Sequence, residues 1–283
     1  FNLNGQLTAV TDLTISGGAT VNLGSDERIN DPAVVNVLRD GTLNRNGTET
    51  VRSYNSGGTR GLAPTAASGT LIVTESPINL MDGHVSLNGT NLQNLGGQDP
   101  QLTSNGEVLI SGSANDTAIG PNNATINVNT VDIQSGTLTL DGLFINPTGT
   151  IDIRNGATLV SGSANRINGD SATVNMENGG TWMLGGDDTI ETFNSSGLLN
   201  GVGILTATTY NLSNGAVTAT GANLGTGTLN SGPGTVTLNG DAGVEIANVN
   251  SGILNLNGQL TGVTALNIAD GGTLVSGSAD RVN

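Results

Sequence analysis

Residues 1–30 read FNLNGQLTAVTDLTISGGATVNLGSDERIN, and residues 254–283 read LNLNGQLTGVTALNIADGGTLVSGSADRVN. The two stretches align without a gap and are identical at 17 of 30 positions. A chain that returns to its own opening sequence is built from repeats, which stack on their neighbours instead of surrounding one central core. The repeat therefore predicts a scaffold or a surface fibre in preference to a protein with a single catalytic pocket.

Short runs in which apolar and polar residues alternate cover most of the chain, and they end at Gly, Asn or Asp. This period of two is typical of strands with one buried face, and no window shows the 3.6-residue period of a long helix. Similar runs recur at intervals of about 20 residues, the length of one turn of a β-solenoid. The clearest runs are residues 125–129, 136–142, 150–155, 157–162, 172–178, 180–186, 203–208, 216–221, 235–240 and 253–258. The sequence predicts an all-β fold, a right-handed parallel β-helix (β-solenoid) with about 20 residues per turn.

The composition separates this chain from both ordinary globular and disordered proteins. Gly accounts for 44 of 283 residues, aromatic residues for 2% and charged residues for 11%. Such values can indicate disorder, but 35% of the residues are hydrophobic and they fall in regular alternating runs. We expect residues 1–283 to form a single continuous solenoid, a segment of a longer repeat protein. Residues 57–100 hold Pro64, Pro77 and Pro100 and are expected to be an irregular stretch with longer loops.

The charge excludes several classes of partner. The formal net charge is −15, and all eight basic residues other than the single His are Arg. Such a surface repels phosphate backbones and anionic lipid headgroups, so no nucleic-acid partner is expected. No stretch has the roughly 18 apolar residues of a membrane-spanning helix, so no membrane insertion is expected in this segment. The absence of Cys is consistent with export from a bacterium.

A second repeat lies inside the first. Residues 19–30 (ATVNLGSDERIN) match residues 157–168 (ATLVSGSANRIN), and the similarity continues into residues 48–58 and 187–197. Tyr54 then corresponds to Phe193. Arg occupies the same position in three copies, as Arg28, Arg166 and Arg281. We expect each of these Arg side chains to pair with a neighbouring acid or to cap strand carbonyls, although a ligand site is the alternative.

The shared motif is a strand, then SGS-[AD]-[DN]-R-[IV]-N, then a short alternating strand and G-T-L. It is carried by residues 23–43, 161–182 and 276–283. It resembles the autotransporter-associated β-strand repeats of large bacterial surface proteins, which are similar in turn to filamentous-haemagglutinin-like passengers. The resemblance implies an exported β-helix on the bacterial cell surface that serves in adhesion, aggregation or matrix building.

Candidate catalytic groups are few. His84, the only His, lies in MDGHVSLNG without a partner motif, and we interpret it as a solvated residue at the edge of a loop. The adjacent acids Asp26–Glu27 and Asp187–Asp188 fall at repeat corners where other copies have Asn or Ala. A carbohydrate-cleaving site would need a singular cluster and, for elimination, a basic group beside it. We therefore predict no catalytic residues and no enzyme, with a polysaccharide-binding or polysaccharide-cleaving β-helix as the alternative.

Binding sites for small groups are also weakly indicated. GGDDTIETF at residues 185–193 matches the calcium β-roll nonapeptide only in part, so no cofactor and no metal ligands are predicted, and Ca²⁺ at corner acids stays a weak alternative. Trp182 replaces Leu43 in the aligned copy and is expected to fill the core or a corner rather than to stack on a sugar. The triplets TLT, TAT and TVT do not recur at one turn spacing, which argues against ice binding.

These patterns together predict a non-enzymatic, secreted protein of the bacterial cell surface, an adhesin or a fibre-forming structural β-solenoid. Self-association through edge strands or end-to-end stacking is the expected partner interaction. Glycans or proteins of a host or cell surface are the other expected partners. A calcium-dependent rod remains a further hypothesis.

Overall fold

The computed structural model describes residues 1–38, 41–45, 47–57, 69–75, 78–86, 90–94, 101–111, 125–141, 144–145, 149–278 and 280–282. These residues form 30 β-strands and no helix, and their strand pairings are parallel. Hydrogen-bonded side chains in consecutive turns are 17 to 24 residues apart. The predicted all-β, parallel β-solenoid with about 20 residues per turn is confirmed, and each of the ten quoted runs overlaps a strand.

The chain divides into two compact units, and unit 1 is Phe1–Thr148. Its strands form three columns in which each strand pairs with the equivalent strand of the next turn. The first column is β2 (Asp12–Ile15), β4 (Val34–Leu38), β7 (Ser53–Gly57), β9 (Ile78–Ser86), β11 (Gln101–Ser111) and β13 (Thr130–Ile133), with β14 (Thr137–Asp141) on the later part of β11. The second is β1 (Asn2–Leu3), β3 (Thr20–Leu23) and β5 (Thr42–Asn44). The third is β6 (Glu49–Val51), β8 (Gly69–Val73), β10 (Thr90–Asn94), β12 (Thr125–Asn127) and β15 (Phe144–Ile145).

Unit 2 is Gly149–Asn283 and contains two long columns. Column A is β16 (Thr150–Ile153), β18 (Asn168–Met176), β20 (Asp188–Ser195), β22 (Gly203–Leu212), β25 (Thr228–Ser231), β27 (Ile246–Val249) and β29 (Ala265–Ile268). Column B is β17 (Thr158–Ser161), β19 (Thr181–Leu184), β21 (Leu198–Gly201), β23 (Val217–Thr218), β26 (Thr235–Leu238), β28 (Gly252–Leu256) and β30 (Gly272–Ser276). On a third side of unit 2, β22 pairs with β24 (Ala222–Leu224). The following turns are joined on this side by the single bridges Leu224–Ala242, Ala242–Leu260 and Leu260–Val282.

The core of each unit consists mainly of aliphatic side chains on the inward positions of these strands, with a few buried aromatic rings. In column A of unit 2 the positions alternate between half-buried and buried, as in β16, where Ile151 and Ile153 are buried. In-register pairing then places Ile151 below Val174, and Val174 below Phe193. Because successive side chains of a strand point to opposite faces, the period-two sequence pattern produces one continuous buried row per column.

That residues 1–283 form one continuous solenoid remains a prediction. In the stretch predicted to be irregular, residues 58–68, 76–77, 87–89 and 95–100 lie outside the described residues. The described remainder of residues 57–100 includes β8, β9 and β10.

Candidate functional site

A ladder of amide side chains runs along the outward surface of column A in unit 2. Each Asn donates a hydrogen bond from its Nδ2 to the side-chain oxygen of the equivalent residue one turn earlier, at 2.8 or 2.9 Å. The members are Asp152, Asn175, Asn194, Asn211, Asn230, Asn248 and Asn267. The first member is a carboxylate, which suits a position that only accepts hydrogen bonds. We call these seven residues the Asn ladder.

The local sequence explains the position of the ladder. In each strand the ladder residue lies between two inward residues, so it points outward, and a Thr occupies the preceding outward position in five consecutive turns. These residues are Thr150, Thr173, Thr192, Thr209 and Thr228, which are paired in register. The sequence signal is T-x-[DN] at intervals of 17 to 23 residues. The triplets TLT, TAT and TVT do not indicate this pattern, because it has one Thr and one Asp or Asn per turn instead of two Thr.

Unit 1 contains shorter versions of the same arrangement. Asn79 donates to Asn55 at 2.8 Å, and Asn55 donates to Asn36 at 2.9 Å. A separate pair of bonds, of 2.7 and 2.6 Å, joins Asn44 to Asn22 and Asn22 to Asn2. Amide ladders are known to stabilise in-register parallel stacks, because identical side chains then meet at the strand spacing.

Replacing Asn211 by Asp is expected to destabilise unit 2. The variant loses the Nδ2 donor and sets a carboxylate oxygen against the Oδ1 of Asn194, and because this pair is exposed the loss should be about 0.5–1.5 kcal/mol. Urea denaturation followed by the fluorescence of Trp182, the only Trp, measures the change. The control is Asn200→Asp, since Asn200 on β21 is half-buried and makes no side-chain hydrogen bond among the described residues. Equal losses of stability in the two variants would contradict a stabilising role for the Asn ladder.

An open groove of about 390 Å³ lies beside the Asn ladder. Asn175, Asn194 and Asn211 line it together with the hydroxyl groups of Ser196 and Ser213. Three charged side chains lie at one end. There Arg154 contacts Asp152 at 3.3 Å and Glu177 at 3.0 Å, so its charge is matched by two carboxylates. The groove therefore combines uncharged amide and hydroxyl groups with an ionic end that holds one positive and two negative side chains.

A second groove, of about 370 Å³, is lined by Thr side chains and by Glu191 and Glu245. Thr208 donates a hydrogen bond to Glu191 at 3.2 Å. Within the described residues no group of three or more His, Cys, Asp or Glu is arranged to hold a metal ion. No described helix has the length and apolar character required to cross a membrane.

The corner acids singled out in the sequence bind backbone groups of the next turn. Asp26 accepts from the N–H of Thr48 at 2.6 Å, and Asp187 accepts from the N–H of Ile204 at 2.8 Å. Glu27 accepts from both the N–H and the hydroxyl of Thr50, at 3.2 and 2.9 Å. Charge-assisted bonds of this kind satisfy donors that the bend removes from the sheet. These carboxylates stabilise the contact between turns.

Asp188 and Glu49 are equivalent residues in the two repeats, and both are buried. Glu49 accepts from the N–H groups of Arg28 and Ile29, and Asp188 accepts from the N–H of Ile167, one turn earlier in each case. Burial raises the pKa of Glu49, although the hydrogen bonds from these two N–H groups act to lower it. Burial also raises the pKa of Asp188 to about 7, although the Ile167 N–H, Ser161 and the nearby Arg166 favour its charged form. The sequence gives no direct signal of this burial.

Asp188 should make the stability of unit 2 fall as the pH rises from about 4 to about 7. Its folded pKa lies above the unfolded value, so in this window the folded state binds more protons, and the slope reaches about 1.4 kcal/mol per pH unit. The Asp188→Asn variant keeps an acceptor for Ile167 but does not titrate. We expect its stability relative to the native chain to increase steadily across this window in melting curves. Asp187→Asn is the control, and parallel curves for the native chain and Asp188→Asn would contradict the assignment.

The three aligned Arg residues have structural contacts. Arg28 donates to the hydroxyl of Ser25, three residues earlier. Arg281 donates to the hydroxyl of Ser278 at 2.7 Å and to the carbonyl of Asn257 in the preceding turn. Arg166 is buried close to Asp188. Only Arg281 makes the expected contact with a carbonyl, whereas the bond of Arg28 to Ser25 is neither a carbonyl cap nor an ion pair, and two side-chain nitrogens of Arg166 have no hydrogen-bond partner among the described residues.

Trp182 is fully buried, as expected for a core residue. Its Nε1 donates to the Ser161 hydroxyl at 2.9 Å, and its ring meets that of Phe193 edge to face with centroids 5.8 Å apart. Leu43, which occupies the aligned position in unit 1, is also buried. The backbone of His84 lies inside β9, not at a loop edge, while its side chain lies outside the described residues.

Comparisons with known proteins add nothing to this geometry. No protein-family model, no curated protein and no solved structure matches the chain.

Proposed function

We propose that this chain is a non-enzymatic, secreted protein of the bacterial cell surface, an adhesin or fibre-forming β-solenoid that mediates adhesion, aggregation or matrix assembly. The observation that carries the proposal is the use of the corner carboxylates. Asp26, Glu27, Asp187 and Asp188 all accept hydrogen bonds from the backbone of a neighbouring turn. Carboxylates that hold neighbouring turns together in this way support a structural role over a role as a catalytic acid–base pair.

The repeat supports the same proposal. A stack of similar turns presents similar outward side chains at a regular spacing of about 4.8 Å, which suits many weak contacts with an extended partner. The resemblance of the motif to autotransporter-associated repeats and filamentous-haemagglutinin-like passengers supports a bacterial surface location. The net charge of −15 keeps such a surface away from nucleic acids and anionic lipids.

Adhesion and self-association are tested by coupling the purified chain to beads. We expect the beads to cluster, or to be retained on surfaces coated with polysaccharide or with extracellular-matrix protein. Beads that carry the chain after heat denaturation are the control, because the proposal depends on the folded surface. Native beads that neither cluster nor adhere to any coating would contradict the proposal.

Catalysis is tested separately by incubating the chain with neutral and acidic polysaccharides, with and without calcium. We expect no new reducing ends and no unsaturated products. Any turnover that persists through repurification would overturn the non-enzymatic part of the proposal. Loss of bead adhesion on chelation would instead favour the calcium-dependent rod.

Polysaccharide binding is the second candidate function, and the groove beside the Asn ladder favours it. The groove combines amide and hydroxyl groups, which are suited to sugar hydroxyls. Cleavage is not favoured, because the carboxylates at the end of the groove, Asp152 and Glu177, are both engaged by Arg154.

A further inference from the structure

We propose that the groove beside the Asn ladder binds an uncharged polysaccharide chain that lies along the stack of turns. The inference rests on the adhesive function proposed above and assigns a ligand class and a site to it. The site is the outward surface of unit 2 between Arg154 and Ser213.

The dimensions of the groove fit an extended chain. Asn175, Asn194 and Asn211 belong to three consecutive turns, so the lining extends about 10 Å along the stack at the usual strand spacing. The groove is open on its outer side and has a volume of about 390 Å³. A ligand can therefore enter sideways and continue beyond both ends, as a polymer must.

The lining keeps unused hydrogen-bonding capacity. A primary amide has two donor hydrogens and two acceptor lone pairs. At Asn194 the ladder uses one donor hydrogen and one acceptor lone pair, because Asn194 donates to Asn175 and accepts from Asn211. The Ser213 hydroxyl makes no hydrogen bond to the described residues, and Ser196 donates to the carbonyl of Met176 at 3.3 Å, which leaves its oxygen able to accept. Mixed donors and acceptors match sugar hydroxyls, which also do both.

The ladder holds this lining in place before a ligand arrives. Each amide plane is fixed by bonds of 2.8 or 2.9 Å to both neighbours. The strand below each amide is in turn anchored by buried residues such as Phe193. Little side-chain freedom is then lost on binding, and preorganisation of this kind increases affinity.

The charges select an uncharged ligand. Arg154 is the only basic residue among the described residues that line the groove, and it is already bonded to Asp152 and Glu177. An anionic polysaccharide would find no uncompensated positive charge there, and the chain as a whole carries −15. Neutral glucans and mannans face no such penalty.

Affinity electrophoresis of the full chain in gels that contain laminarin, mannan or alginate tests the proposal. Ser213→Trp fills the groove, while its backbone N–H still reaches Ser195. Asn250→Trp is the matched control, because Asn250 is exposed at the equivalent position two turns later and does not line the groove. We expect laminarin or mannan, but not alginate, to retard the native chain. Ser213→Trp should weaken this binding at least about tenfold, and Asn250→Trp should leave it unchanged.

The remaining outcomes overturn the proposal in distinguishable ways. Retention of full binding by Ser213→Trp would place the ligand elsewhere. Preferential retardation by alginate would contradict the charge argument. Sedimentation that shows a dimer of the native chain, lost in Ser213→Trp without any glycan, would assign the groove to a second copy. If no glycan retards the native chain while its beads still cluster or adhere, this inference fails and the proposed function stands.

Discussion

Gly227→Ala is expected to lower the free energy of unfolding of unit 2 by about 3 kcal/mol or more. Gly227 has φ of +132°, and a Cβ at this position would lie 2.0 Å from the carbonyl oxygen of Ala207 in the preceding turn. That oxygen belongs to the backbone and cannot rotate away, so the two turns would have to separate. The loss should appear as a lower urea midpoint in Trp182 fluorescence.

Gly215→Ala is the matched control for this prediction. Gly215 has φ of +99°, but an added Cβ would meet no atom within 4 Å. The variant therefore carries only the backbone strain of a left-handed alanine, about 1–2 kcal/mol. If both variants lose the same stability, the close contact between turns at Gly227 is not present in solution.

Trp182→Ala is expected to cost about 3–5 kcal/mol, the range for removal of a large buried aromatic residue. The ring is fully buried, packs on Phe193, and donates to Ser161, so the variant leaves a cavity and removes the indole donor from the Ser161 hydroxyl. Far-UV circular dichroism during urea denaturation measures the change without the lost fluorophore.

Two comparison variants separate the cost in stability of the cavity from the cost of a substitution as such. Trp182→Leu should lose clearly less than Trp182→Ala, because Leu43 fills the aligned position of unit 1. Met183→Ala, at the next and outward position, should change stability by no more than about 0.5 kcal/mol. A Trp182→Ala variant as stable as Met183→Ala would show that the ring is not in the core.

The sequence predicts the architecture well for a physical reason. Alternation with period two and Gly or Asn at the bends are local signals, and they recur in every turn. They suffice to place β16, β19 and β28 and to orient Trp182 inward. The alignment of residues 19–30 with residues 157–168 also holds in three dimensions, since Ile29 and Ile167 both donate to a buried carboxylate of the following turn.

The surface features could not be predicted in the same way. The Asn ladder depends on which residues become neighbours across turns of unequal length, from 17 residues between Asn194 and Asn211 to 23 between Asp152 and Asn175. A search at one fixed period misses it. The burial of Asp188 beside the exposed Asp187 depends equally on where the bend falls, which Asp-Asp in the sequence does not specify.

The most direct test of the stacked turns uses spin labels, which the cysteine-free chain makes simple. Thr209 and Thr228 are 19 residues apart in sequence but are paired in adjacent strands of column A, both with outward side chains. Labels on a Thr209→Cys and Thr228→Cys double variant should show strong dipolar broadening in continuous-wave EPR spectra, since neighbouring strands are about 4.8 Å apart. A spectrum equal to the sum of the two single-label spectra would contradict the β-solenoid.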